Sequence, residues 1–132
     1  MGKIVARDSA FKLVYQNLFN KEAEVSDFFA EFELPADEQD KEYALSVYDK
    51  VVEQYDEIVD ILKNHIKEGY EINRIYKLDL AILLVAVCEI KFFNQDAPLI
   101  VNEAVELAKK YSTDKSPAFV NGVLGGFVRS LN

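Results

Sequence analysis

The chain lacks the residues on which several classes of protein depend. Its 132 residues include one cysteine, one histidine and no tryptophan. A single cysteine excludes an intramolecular disulfide, and one histidine without a companion cysteine does not form the usual zinc-site spacing. The longest apolar run, Leu80 to Cys88, is far shorter than the roughly 18 residues that a membrane span requires. The N-terminal stretch also has no uninterrupted apolar core, so we expect a cytoplasmic protein without a membrane span.

Catalytic motifs are equally scarce. The sequence contains no glycine-rich phosphate loop, no dinucleotide-binding fingerprint and no nucleophile elbow. Cys88 lies in the apolar run and is predicted to be an inert core thiol, because a reactive thiolate needs a polar, partly open setting. His65 is predicted to lie on a helix surface. We therefore expect no catalytic residue, no metal and no cofactor.

Acidic residues exceed basic ones by eight, but the excess is confined to the middle of the chain. Residues 21–71 hold 16 acids and five bases, whereas residues 1–20 and 72–132 are each slightly basic. The total argues against a general polyanion binder but allows a basic site built from the two ends. Lys3 and Arg7 are spaced to share one side of a helix, and Lys12 follows. The alternative to a binding site is that these cations only balance the charge of nearby acids on a solvent-exposed surface.

Apolar residues recur at helical spacing, and no segment shows strand alternation. The pattern predicts a compact all-α bundle of about six or seven helices, formed by residues 1–132 as one domain. A nearly all-apolar helix over 78–93 is expected at its centre. The other predicted helices are 8–20, a short one from Ser26 to Phe32, a long one over 38–68 ended by Gly69, a turn or helix at 72–77, one opening at Pro98, and 116–131.

The last predicted helix contains three glycines, which is unusual because each interior glycine costs roughly 1 kcal/mol relative to alanine. Ser116 and Pro117 are predicted to be its N-cap and first residue. Gly122, Gly125 and Gly126 fall on the side opposite its apolar stripe. We expect Gly122 to allow the close approach of another helix, whereas the other two glycines fit either packing or an open surface.

Three segments resemble the NusB family of transcription antitermination factors. The first is "KIVARDSAFKLVYQ", which is similar to the family's basic opening. The second is "RIYKLDLAILLVAVCEI", which is similar to its central helix. The third and most specific is "PLIVNEAVELAKKYSTDKSPAFVNGVL". The resemblance covers most of the chain and is weak in residues 21–70.

The resemblance implies an all-α fold of two small helical halves that binds boxA-type RNA together with the ribosomal protein NusE. This assembly acts on the transcription elongation complex and promotes read-through of ribosomal RNA operons. By position, the resemblance implies RNA-binding roles for one set of residues: Lys3, Arg7, Lys115, Ser116 and Phe119, with Lys12 added because it extends the basic end. It implies partner-facing roles for a second set: Tyr15, Asp79 and Glu89. For Tyr15 and Phe119, burial in the core remains an alternative to base stacking or partner contact.

The chain departs from the family pattern at several basic positions. Lys3 replaces an arginine, and Leu80 and Leu84 stand where the family carries basic residues. Fewer cations mean fewer phosphate contacts, so we expect a stronger dependence on the protein partner. Two other functions stay open: an RNA-binding module of an RNA cytosine methyltransferase, and a protein that mainly self-associates as a homodimer. The absence of a nucleotide-binding βαβ unit argues against the first.

Overall fold

Helix α4 lies at the centre of the fold because its residues are apolar on nearly every side. In the computed structural model, which describes residues 3–18, 32–66 and 71–131, every residue from Leu78 to Ile90 is buried. Helix α4 contacts each of the other five helices. The helices are α1 (Ile4–Asn17), α2 (Glu38–Glu53), α3 (Tyr55–Lys63), α4 (Lys77–Phe92), α5 (Ala97–Tyr111) and α6 (Ser116–Ser130).

The helices pair on either side of α4. Helix α1 packs against α2, and α5 packs against α6. Helix α4 packs against α1 and α2 as well as against α5 and α6, and a 3₁₀ turn, Ile72–Arg74, precedes it. The described residues contain no strand, so the predicted all-α class is confirmed. The predicted cap at Ser26 and stop at Gly69 lie outside the described residues.

The predicted single helix over 38–68 is wrong, because the chain forms two helices there. Gln54 separates α2 from α3, with a φ of −106° and a ψ of 23° that leave the helical region. The buried residues Val51 and Ile58 are seven positions apart across this break. Seven residues are close to two helical turns, so the apolar spacing continues as though the helix were unbroken.

Helices α5 and α6 begin differently. The Asp96 carboxylate accepts a hydrogen bond from the Leu99 backbone N–H at 3.2 Å and so caps α5. Ser116 was predicted to cap α6 in the same way, but Lys115 holds the N-cap position. The Ser116 hydroxyl is fully buried and forms hydrogen bonds with residues before the helix and in α4. The start of α6 is therefore anchored to α4.

The glycines of α6 have different surroundings, and the close-packing prediction for Gly122 is wrong. Gly122 is exposed, and a Cβ added there meets nothing within 4 Å. A Cβ at Gly125 meets only the mobile end of the Arg129 side chain, at 3.3 Å. At Gly126 an added Cβ would lie 3.1 Å from Nδ1 of His65, which follows α3. The close approach is therefore at Gly126, where an added methyl group requires the His65 side chain to shift.

Alanine substitutions are expected to separate these glycines. Gly122→Ala should raise the free energy of unfolding by up to about 1 kcal/mol, because it lowers unfolded-state entropy without a clash. The free energy of unfolding of Gly126→Ala should be at least about 0.5 kcal/mol lower than that of Gly122→Ala, because the added methyl group meets His65. Urea denaturation of the two variants measures the difference. In a His65→Ala background the difference should disappear; a difference that persists there contradicts this explanation.

Candidate nucleic-acid interface

Arg7 and Glu89 form a buried ion pair between α1 and α4. The Arg7 Nε and Nη2 atoms donate to Glu89 Oε1 and Oε2 at 2.7 and 2.8 Å. Glu89 is 0% exposed and Arg7 4% exposed. Burial alone lowers the pKa of Arg7, but the hydrogen bond and charge of Glu89 outweigh it, so the pKa is raised. The guanidinium is therefore held in its charged form inside the fold.

Two further side chains complete this pair. The Tyr43 hydroxyl of α2 donates to Glu89 Oε2 at 2.5 Å, and Glu103 Oε1 of α5 lies 3.6 Å from Arg7 Nη1. Burial, followed by the hydrogen bond to Glu89, raises the pKa of Tyr43 above its ordinary value, so this hydroxyl stays a donor. The Glu89 carboxylate joins α1, α2 and α4, and Arg7 extends the network to α5 through Glu103. Lys3 lies above its outer edge, with Nζ 5.2 Å from the Tyr43 ring centre.

These contacts correct two predicted roles. Arg7 was expected to present a free guanidinium to RNA, but its Nε and Nη2 atoms are bonded to Glu89, its Nη1 atom faces Glu103 and the residue is 4% exposed, so it does not offer a free phosphate ligand. Glu89 was expected to lie in or near a partner-facing surface, yet it is fully buried. Of the predicted Lys3–Arg7 pair, only Lys3, which is half-buried, keeps an accessible charge.

Lys12 lies further along α1, with its ammonium over the rings of Phe32 and Tyr111. Its ammonium is 2.9 Å from Asp8 Oδ2, and Asp8 also accepts a hydrogen bond from the Tyr111 hydroxyl at 2.6 Å. Burial lowers the pKa of Lys12, but Asp8, with help from Tyr111, raises it by a larger amount, so the pKa is raised overall. The charge of Lys12 is thus largely balanced by Asp8, while the side chain remains partly accessible.

A second polar network fixes the loop between α5 and α6. The Asp79 carboxylate of α4 accepts hydrogen bonds from the Ser112 hydroxyl at 2.6 Å and the Ser116 hydroxyl at 3.0 Å. Ser116 in turn accepts from the Thr113 backbone N–H at 3.2 Å. Because Ser116 is 0% and Asp79 7% exposed, neither has the exposed binding position predicted for it. Both instead position the residues that follow the loop.

A groove of about 210 Å³ lies above this network. It is lined by the segment that leads into α4 and by the segment that leads into α6. Lys115 is exposed at its edge, and Phe119 lies half-buried in its wall, one turn into α6. The structure thus brings together Lys115, Phe119 and, beneath them, Ser116 and Asp79. Among the described residues Lys115 has no ion-pair partner, so its charge is available.

The sequence analysis missed two residues of this groove, Arg74 and Tyr76. Both are exposed, and both line the groove from the segment before α4. They lie within the "RIYKLD" stretch, but spacing does not distinguish an exposed tyrosine before a helix from one that enters the core. The signal that was available was a cation and an aromatic residue two positions apart, a combination found on RNA-binding surfaces.

Tyr15 lies in the core. It is 8% exposed, and its ring centre is 6.5 Å from that of Phe11. The expectation of an exposed tyrosine that anchors a partner is therefore wrong, and the alternative of a core position is correct.

Other reactive groups give no sign of catalysis in the described part of the chain. Burial raises the pKa of Cys88 to about 12, so the thiolate is suppressed at neutral pH. His65 packs edge-on against Phe127, with ring centres 6.2 Å apart. Over residues 3–18, 32–66 and 71–131, no three metal-ligating side chains are grouped to hold an ion. None of the helices described there has the length and apolar content needed to span a membrane.

Known proteins resemble this chain over almost its whole length. "Transcription antitermination protein NusB" of Finegoldia magna is 36% identical over 132 residues, which covers 98% of this chain and 95% of that protein. The proteins of the same name from Clostridium novyi and Acetivibrio thermocellus are 37% and 39% identical, each over 98% of this chain. They are covered over 100% and 90% of their own lengths.

Solved structures agree in fold. NusB of T. maritima superposes with a TM-score of 0.83 at 26% identity, covering 98% of this chain and 92% of that one. A structure of antitermination factors NusB and NusE in complex with dsRNA gives a TM-score of 0.78 at 28% identity, covering 96% of each chain. The model of the NusB family matches residues 5–129. By fold, by sequence and by these matched residues, the chain belongs to the NusB family.

Proposed function

We propose that this chain is a transcription antitermination factor that binds boxA-type RNA together with the ribosomal protein NusE. In this role it acts on the transcription elongation complex and promotes read-through of ribosomal RNA operons. The names of the relatives support this role, as does the likeness to a NusB that was solved with NusE and dsRNA. The observation that carries the RNA-binding part is the groove in which exposed Lys115 adjoins Phe119.

The geometry divides the residues into those that touch RNA and those that hold them in place. Lys115 offers an accessible charge and Phe119 an aromatic surface, while Lys3 adds a second cation at the start of α1. Lys12 contributes less, because Asp8 balances its charge. Phosphate contacts of this kind supply salt-sensitive affinity without reading sequence.

The buried residues have a supporting role in this proposal. Asp79 and Ser116 fix the loop that carries Lys115, and the Arg7–Glu89 pair fixes α1 behind Lys3. Tyr15, Asp79 and Glu89 affect NusE binding indirectly, through the position of the helices whose outer surfaces meet the partner. With few accessible cations, the chain should depend strongly on NusE for tight RNA binding.

We also propose that the chain is not an enzyme and that it acts in the cytoplasm, where transcription takes place. Its relatives are named as antitermination proteins and are covered over at least 90% of their lengths. This coverage favours an antitermination factor over the alternative of a methyltransferase module. The suppressed Cys88 thiolate also offers no nucleophile.

Lys115→Gln is expected to weaken binding of boxA-type RNA and to lower the slope of log K against log salt by about 0.7 to 1, because one phosphate contact is lost. Fluorescence anisotropy with labelled RNA, over a salt series and with or without NusE, measures both quantities. Lys63→Gln makes the same charge change at an exposed position on α3 and should have little effect. Equal losses in the two variants would contradict a local site and indicate only a response to net charge.

A further inference from the structure

The groove beside α6 has a second wall that the proposed RNA contacts leave unused. Arg74 and Tyr76, from the segment before α4, form this wall and line the same groove as Lys115 and Phe119. Tyr76 is 57% exposed, which is high for a large aromatic residue that lies beside the core. The Arg74 guanidinium lies 4.0 Å from Glu71, and both side chains are mostly exposed, so this ion pair is weak. The wall thus presents an aromatic ring and a cation to solvent.

The backbone beneath these side chains is well fixed. The Arg74 N–H donates to the Glu71 carbonyl at 2.9 Å, and the Ile75 N–H donates to the Ile72 carbonyl at 3.1 Å. Ile75 points inward and is buried, and the Tyr76 carbonyl accepts the first hydrogen bond of α4, from Leu80, at 2.9 Å. Tyr76 is therefore held between a buried anchor and the central helix. An aromatic residue on such a support loses little further freedom when it binds a ligand.

The floor of the groove is rigid as well. Asp79 and Ser116 line it, and their hydrogen bond of 3.0 Å ties the start of α6 to α4. The buried network therefore ties together the two segments that carry the walls. Each wall supplies one aromatic residue and one cation: Tyr76 and Arg74 on one side, Phe119 and Lys115 on the other.

We infer that this groove holds one unpaired RNA base between Tyr76 and Phe119, with Arg74 and Lys115 at the phosphates on either side of it. The inference rests on the proposed function and identifies the form of RNA that this site accepts. Aromatic side chains stack on bases that are splayed out of a single strand, whereas in an A-form duplex the base faces are already stacked. The cations match the charge of the RNA backbone. Tyr76 is thus predicted to favour single-stranded over double-stranded RNA.

Tyr76→Leu tests the stacking role, because it keeps an apolar side chain but removes the ring. We expect a loss of roughly 5- to 100-fold in affinity for single-stranded boxA-type RNA, with no change in affinity for the same RNA annealed to its complement. Tyr76→Phe keeps the ring and should bind within about twofold of the unmodified protein, since stacking uses the ring face. Circular dichroism melts verify that both variants remain folded, as expected for an exposed position.

An abasic scan of the RNA identifies the stacked nucleotide. If one base lies against Tyr76, removing that base should lower the RNA affinity of the unmodified protein. The same removal should leave the RNA affinity of the Tyr76→Leu variant unchanged. Arg74→Gln should lower the salt slope by about 0.7 to 1, whereas Arg129→Gln, at the other end of α6, should not.

The outcomes separate this inference from the proposed function. If the unmodified protein binds no RNA with or without NusE, the proposed function itself fails. If it binds RNA and Tyr76→Leu binds equally well, only the stacking role is overturned. The inference is also overturned if Tyr76→Leu loses NusE binding but keeps RNA binding in the absence of NusE, because the groove is then a protein site. Equal losses in Tyr76→Leu and Tyr76→Phe likewise overturn it.

Discussion

Glu89→Ala is expected to destabilise the fold by about 3–5 kcal/mol, one of the largest effects of any single substitution in this chain. The variant leaves the Arg7 guanidinium buried without the carboxylate that accepts its bonds of 2.7 and 2.8 Å. It also removes the acceptor of the Tyr43 hydroxyl. A domain of this size has a total stability of about 5–15 kcal/mol, so such a loss approaches unfolding.

Equilibrium urea denaturation, followed by far-UV circular dichroism, measures this loss. Glu103→Ala is the matched control, because Glu103 is also a carboxylate near Arg7 but lies 3.6 Å away and partly exposed. Glu103→Ala should lower the free energy of unfolding by no more than about 1 kcal/mol. Replacing both charges, as Arg7→Met with Glu89→Leu, should recover much of the stability, since neither charge is then left alone. Similar losses for Glu89→Ala and Glu103→Ala would contradict a special role for the buried pair.

This ion pair changes how the basic end of α1 is to be tested. Substituting Lys3 and Arg7 together with alanine would remove an RNA contact and the charge that balances Glu89 at once. Any loss of RNA binding would then follow partly from loss of structure. Lys3→Gln alone avoids this ambiguity, because the Lys3 side chain lies outside the buried ion pair and contacts the network at the Tyr43 ring.

The helices of the second half could be predicted because local signals are strong there. A nearly unbroken apolar sequence identified α4, and a proline in the first turn identified α5 and α6. The break at Gln54 could not be predicted, because the buried positions on either side keep helical spacing. The glycine contact was likewise missed, because it depends on His65, which lies just after α3 and is distant in sequence from Gly126.

The candidate site was predictable only in part, for a related reason. Residue type and position identified Lys115 and Phe119, and the structure places both at one groove. The burial of Arg7 depends on Glu89, 82 positions away in the sequence, and no local pattern reports such a pairing. Tyrosine is equally ambiguous, since it occurs both in cores and on binding surfaces. Only the packed fold distinguishes buried Tyr15 from exposed Tyr76.

Tyr15→Asp is expected to cost about 3 kcal/mol or more of folding stability, because it removes a buried ring and places a carboxylate in the core. Tyr15 is 8% exposed and belongs to the main apolar cluster, beside Phe11. Tyr15→Phe keeps the ring and should stay within about 1.5 kcal/mol of the unmodified protein.

Tyr76→Asp is the matched control for Tyr15→Asp, since it makes the same chemical change at a tyrosine that is 57% exposed. It should alter stability by no more than about 0.5 kcal/mol, as is usual for surface substitutions. The urea midpoints of both variants show whether the substitution affects stability. NusE binding of Tyr15→Phe is measured alongside, so that a core role can be distinguished from a partner contact. Any loss of NusE binding in Tyr15→Asp should follow its loss of structure. If instead Tyr15→Asp keeps a midpoint close to that of Tyr76→Asp and still fails to bind NusE, Tyr15 is a direct partner contact and its assignment to the core is wrong.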